Sequence, residues 1–201
     1  VQFRLLGWPE DSPRLDLDHE RFAYAGNYVT GRTGIAAALA ADADPTAAPI
    51  ESQRDDEPWS PSEDAVLAVA SFDEDRAADG ALRIRYVSVR TDHRDGGIGP
   101  RLLAFVVDRA LERGYDRVRI GVNNPIAYQA GYRAGFAFTG EESGMGELVL
   151  EAPAPDPSTE QYRDGFDRFA DRDLPVEQQS VVERHRDGQP PDVIDPETPE
   201  R

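Results

Sequence analysis

Glycines at 96, 97 and 99 separate a strand pattern from a helix pattern, and that junction limits the folds open to this chain more than any other stretch. It reads Arg94-Asp95-Gly96-Gly97-Ile98-Gly99-Pro100. Before it, Leu82 to Val89 (Leu-Arg-Ile-Arg-Tyr-Val-Ser-Val) alternates in polarity and is rich in β-branched residues, which predicts a strand. After it, Pro100 to Arg113 places Leu102, Leu103, Val106, Val107, Ala110 and Leu111 at helical spacing. Pro100 suits the first helical turn, where its missing N–H has no intrahelical partner to lose. The glycines let the backbone turn sharply and approach a ligand closely. Strand, glycine turn and helix N-terminus together predict a phosphate cradle, because several amides and the positive helix end converge there.

Two nucleotide-binding patterns fail on the letters. A P-loop needs G-x-x-x-x-G-K-[ST], and the chain has no lysine. A dinucleotide fingerprint needs G-x-G-x-x-G, and no third glycine follows Gly97-Ile98-Gly99 at that spacing. The junction instead resembles the acyl-CoA loop of the GNAT family of N-acetyltransferases, [RQ]-x-x-G-x-[GA], through Arg94, Gly97 and Gly99. Val89 stands where that family carries the last apolar residue of its central strand. Downstream, Arg117 to Val122 reads as the next strand, entered after a helix-stopping Gly114. Asn123-Asn124-Pro125-Ile126-Ala127 then opens a short helix that closes at Gly135-Phe136. Asn124, Ala127, Gly135 and Phe136 resemble the family's second motif in order and spacing. Phe136 to Thr139 and Glu147 to Leu150 read as closing strands around a turn at Gly144 and Gly146. The resemblance runs from about residue 60 to 151.

That resemblance implies an α/β fold: a GNAT-like mixed, mostly antiparallel central sheet, flanked by helices and splayed between its two central strands. Composition shifts divide the chain into a domain over 1–151, with a mobile insertion at 42–64, and a Pro- and acid-rich extension over 152–201 bearing one or two short helices. The implied activity is N-acetyl transfer from acetyl-CoA to an amine of a small molecule or a protein. Val87 and Val89 would offer main-chain hydrogen bonds to the pantetheine arm. The amides of Asp95, Gly96, Gly97, Ile98 and Gly99 would hold the pyrophosphate, with Arg94 opening the loop towards phosphate and Asn124 from the second motif also on the cofactor side. Pro100 has no N–H to add.

The family's acidic tyrosine falls at Gly131 here. Tyr132 adjoins that place in a Y-x-x-G-F context, and Tyr128 lies three residues earlier. At ~100° per residue, Tyr128 points ~60° and Tyr132 ~100° from the family direction. Either is a candidate to protonate the leaving thiolate, and both equally suit a packed core. The strand carries no carboxylate between Leu82 and Arg90. A water relay, a loop carboxylate such as Asp73 or Glu74, or an amine that arrives neutral would then serve as base. A second reading keeps the fold without turnover, as an acyl-CoA-binding regulatory module whose tail engages a partner. A third is a salt-adapted α/β domain with an incidental glycine turn.

Composition bounds these readings. At 201 residues the chain suits one medium domain with extensions. Asp and Glu number 39 and the formal net charge is −17, yet 39% of residues are hydrophobic and fall in periodic runs, so a packed core is expected. The acid surplus reads as the coat of a protein from a halophilic organism, where molar salt shortens the screening length to ~3 Å. Without cysteine there are no disulfides or thiolate sites. His19, His93 and His185 lack ligand spacing, so no metal is expected. No apolar run approaches the ~20 residues of a membrane span, and the N-terminus lacks a leader pattern. A cytoplasmic location is the expectation. No basic stripe marks nucleic acid. The expected partners are acetyl-CoA and an amine acceptor, with a second copy of the chain as a candidate.

Elsewhere, Phe3 to Leu6 reads as a first strand ended by Gly7-Trp8-Pro9. Asp18 is placed to cap a short helix through Tyr24. Ile35 to Ala40 is ambiguous: alanine favours helix, while the family pattern makes it a strand beside Ala65 to Phe72. Asp42 to Asp64, rich in Asp, Pro and Ser, reads as a mobile hairpin loop carrying Trp59. After an Ala-Pro-Ala-Pro-Asp-Pro linker, Ser158 and Gln161 resemble a capping box, and Tyr162, Phe166 and Phe169 share one helical face. A last helix is expected over Val176 to His185.

Overall fold

The computed structural model describes residues 1–13, 15, 17, 18, 20–22, 32–43, 65–154 and 158–194. Among these lie seven strands and four helices, a mixed α/β fold. In chain order they are β1 (Gln2–Gly7), β2 (Gly34–Leu39), β3 (Val66–Glu74), β4 (Ala81–Val89), α1 (Ile98–Arg113), β5 (Arg117–Val122), α2 (Pro125–Arg133), β6 (Ala137–Glu142), β7 (Leu148–Ala152), α3 (Thr159–Ala170) and α4 (Val176–His185). The chain divides into two units, residues 1–74 with 83–106 and residues 75–82 with 107–201.

In the first unit the strands are ordered β1-β2-β3-β4. β1 and β2 are antiparallel with Leu5 opposite Ala36, and β2 and β3 are antiparallel with Ala37 opposite Val69. Strand wins over helix at Ile35 to Leu39 because both edges of β2 find partners and every one of its residues is buried. Alanine's local preference, worth only tenths of a kcal/mol per residue, is smaller than that packing. Leu6, Ile35, Val66 and Val69 form the core with Leu15 and Phe22. The Asp18 carboxylate accepts the Glu20 N–H at 2.8 Å, and its carbonyl accepts those of Arg21 and Phe22. Asp18 thus caps a turn; Tyr24 lies outside the described residues, as do Trp59 and nearly all of the inserted loop.

In the second unit β7 lies between β5 and β6, antiparallel to both, so that Leu150 faces Ile120 on one side and Phe138 on the other. Gly114, at φ 100°, follows the end of α1, and Leu111 near that end is exposed rather than packed. Ser158 and Gln161 form the reciprocal cap of α3, supplying two of the helix's orphan donors with acceptors. This start sets Tyr162, Phe166 and Phe169 on one buried face. They meet Tyr128 of α2 at ring separations of 6.0, 5.1 and 5.6 Å. Such pairs add about 0.5–1.5 kcal/mol each beyond the area they bury.

Candidate functional site

The phosphate-loop candidate lies in the first unit. β4 ends at Val89, a single turn of 3-10 helix covers Thr91–His93, and α1 begins at Ile98. Between them Asp95 and Gly97 both take positive φ, 66° and 75°. Left-handed residues inside a turn swing consecutive N–H groups towards one side, the geometry of an anion nest. Gly97 adopts this without cost, whereas Asp95 tolerates it as a short polar residue. The helix's first bond runs from the Arg101 N–H to the Gly97 carbonyl at 3.3 Å, and Pro100 has no N–H. Among the described residues, none accepts a hydrogen bond from any amide between Arg94 and Gly99. Arg94, Asp95 and Gly96 are exposed, while Ile98, Gly99 and Pro100 are buried at the base. A side chain at Gly99 would begin 3.2 Å from Val89 Cγ2, so the glycine lets the helix start close against the end of β4. Amides that lack an acceptor among the described residues, at a helix N-terminus, are groups of the kind that bind anions.

The reading of the sequence assigned no role to Arg90, Asp92 and His93, which immediately precede this loop. Arg90 is buried, its Nε lies 2.8 Å from Asp92 Oδ1, and its Nη2 lies 3.1 Å from His93 Nδ1. An arginine followed at i+2 and i+3 by Asp and His was the visible signal, but nothing local says that the arginine turns inward.

In the second unit Asn124 is the N-cap of α2, its side-chain oxygen accepting the Ala127 N–H at 2.8 Å. Pro125 occupies the first helical position behind it. The Asn-x-x-Ala spacing therefore has a local structural cause here.

Tyr128 and Tyr132 are both fully buried. The Tyr128 hydroxyl donates towards the carbonyls of Gln161 and Tyr162, each at 3.1 Å, and the Tyr132 hydroxyl accepts the Phe138 N–H at 3.2 Å. Burial pushes both phenols above their ordinary range, with the adjoining Tyr132 adding to the effect on Tyr128. Their rings stand 5.2 Å apart within the aromatic cluster under α3. Of the two readings the sequence left open, burial favours the packed core: both hydroxyls bond main-chain groups there. The family's tyrosine position, Gly131, is closed as well, since a Cβ there would sit 2.6 Å from Leu150 Cδ1. Of the carboxylates considered as base, Asp73 is held by Arg85 at 2.6 Å.

Among the described residues no group of three or more His, Asp or Glu is placed to hold a metal ion, and no helix is long and apolar enough to cross a membrane.

The fold is mixed α/β, with a glycine turn at the junction of β4 and α1. The acetyltransferase (GNAT) family model matches residues 32–136, more than half of the chain, and the chain belongs to that family. Membership makes it an acyltransferase. No curated protein matches it. Among solved structures it is similar to a Bacillus subtilis acetyltransferase in complex with CoA, at 16% identity over 61% of this chain and 77% of that one, with a TM-score of 0.43. It is also similar to a Staphylococcus aureus N-acetyltransferase (17% identity, 59% and 66% covered, TM-score 0.43). A ribosomal-protein-alanine N-acetyltransferase from Brucella melitensis shows 19% identity over 59% and 67%, with a TM-score of 0.38.

Proposed function

We propose that this chain acetylates an amine, gripping the diphosphate of acetyl-CoA with the amides of Asp95 to Gly99. The observation that carries the reading is the run of amides from Arg94 to Gly99 without an acceptor among the described residues, at the N-terminus of α1 and within the family-matched segment. Arg94 adds a cation at the mouth of the loop, and Val87 and Val89 supply main-chain groups for the pantetheine arm. The reaction joins the amine nitrogen to the thioester carbonyl carbon and breaks the carbon–sulfur bond. With both tyrosines in the core, the thiolate leaves unassisted; an alkyl thiol of pKa about 8.5 is a competent leaving group near neutral pH. With Asp73 held by Arg85, the ammonium gives its proton to water. The large acid surplus supports operation in concentrated salt, in a halophilic cell's cytoplasm.

Thiol release from acetyl-CoA, measured against a panel of small amines and protein N-termini, tests the reading. Gly97→Val forces a β-branched residue into positive φ and should raise the KM for acetyl-CoA by about tenfold. CoA binding with no thiol release on any acceptor would instead favour the regulatory module. Saturating CoA that leaves the melting temperature unmoved would remove the donor site altogether.

A further inference from the structure

We infer that Arg90 is a positioning residue for the diphosphate grip, clipping the turn that delivers Arg94 and Asp95 into the loop. The inference rests on the donor-binding reading above.

Loop residues Arg94 to Gly97 make no amide hydrogen bonds to described residues, so their geometry is set from the two ends. The far end is held by α1, through the Arg101 N–H on the Gly97 carbonyl and the close approach of Gly99 to Val89. The near end is held by Arg90. Its side chain is only 10% exposed, which is unusual for a guanidinium. One arm reaches back to β3, with Nη1 3.5 Å from the Val66 carbonyl. The others face forward, Nε to Asp92 Oδ1 and Nη2 to the His93 ring. The Asp92 carboxylate in turn lies 2.9 Å from His93 Nδ1. These contacts, with His93 first and Arg90 second, hold the Asp92 carboxyl at about 2, well below the usual range.

The main chain repeats the pattern. The Arg90 N–H donates to the Leu67 carbonyl at 2.9 Å, and the Arg90 carbonyl accepts the His93 N–H at 2.9 Å. Thr91 donates to the Arg21 carbonyl at 3.0 Å. The planar guanidinium fork thus ties the turn and β3 to one rigid centre, a task a flexible ammonium performs poorly. Affinity for an anion held by backbone amides depends on those amides being aligned before it arrives. Releasing the near end lets Arg94 to Gly96 sample orientations that do not bind. Of the β2–β3 register positions only Val66 meets the Arg90 side chain, so the rest of that pairing should persist.

The test compares CoA with pantetheine, which keeps the thiol arm and lacks the diphosphate. Dissociation constants for both are measured by calorimetry on the wild type, Arg90→Gln and Arg90→Lys, with thermal melts alongside. Arg90→Gln should weaken CoA by about tenfold while leaving pantetheine unchanged, and Arg90→Lys should lie between it and the wild type. Equal losses for the two ligands, or none, would overturn the positioning role, as would failure of both variants to fold. A wild type that binds CoA no more tightly than pantetheine would sink the donor-binding reading itself. A wild-type preference retained in full by both variants would sink only the role of Arg90.

Discussion

The ring of Tyr128 occupies the space that a side chain at Gly165 would fill. A Cβ built on Gly165 collides with the Tyr128 hydroxyl and ring, so the glycine admits α2's tyrosine to the inner face of α3. Gly165→Ala should therefore destabilise the protein although it sits inside a helix. Overpacking costs about 1–3 kcal/mol, against a helix-propensity gain of at most ~1 kcal/mol. Urea unfolding of Gly165→Ala, Tyr128→Leu and the double variant checks this. The double variant should be more stable than the sum of the singles, because the pair is in contact.

Buried hydroxyls bound to main-chain groups lead to a second expectation. Tyr128→Phe and Tyr132→Phe should each lose about 1 kcal/mol of stability and keep kcat within about twofold. A phenol acting as general acid would instead cost ~10²-fold or more in turnover. Steady-state rates on the best amine acceptor separate the two outcomes.

Arg119 of β5 meets Asp75 at 3.5 Å, Glu141 at 2.6 Å and Glu151 at 3.6 Å. The Asp75 side chain is 3% exposed, whereas that of Glu141 is 65% exposed, so the buried partner dominates. Arg119→Met removes one cationic partner of the buried Asp75 carboxylate and should destabilise the protein, by at most about 3–5 kcal/mol. Adding Asp75→Asn should recover part of that loss in chemical denaturation.

His185 of α4 stacks on Phe166 at 5.9 Å and lies 2.9 Å from the Gln129 amide nitrogen. Burial, and secondarily Arg184, lower its pKa from the ordinary value. The unfolded chain then binds the proton more readily than the folded one. This contribution to stability is complete above the unfolded value of about 6.5 and is lost as pH falls from there through the lower folded value. Urea midpoints at about pH 7.5 and 5.5 should show a drop that shrinks in His185→Gln.

A net charge of −17 should make folding salt-dependent through self-repulsion. Raising KCl from about 0.1 to 1 M shortens the screening length from ~10 to ~3 Å and should raise the melting temperature. An unchanged melting temperature would separate the acid surplus from any salt adaptation.

Much of the architecture was legible because its causes are local. The alternation in Leu82 to Val89, the spacing in Pro100 to Arg113, the Asn124 and Ser158 caps and the stripe Tyr162-Phe166-Phe169 each declare an element within a dozen residues. Ile35 to Leu39 was legible only through its family place, since five residues of mostly alanine carry too little intrinsic preference against two strand neighbours. Arg90 was unreadable for a different reason. Its inward turn depends on a carbonyl at Val66, 24 positions away.

The sequence by itself determined most of the strands and helices, β2 excepted, and the glycine turn at 96–99, because periodicity, capping and backbone freedom act between near neighbours. Only the tertiary structure decided that Tyr128 and Tyr132 belong to the core. That outcome required α3, more than thirty residues downstream of Tyr128, to lay its Gly165 face over them, and contacts between distant segments leave no local trace in the chain.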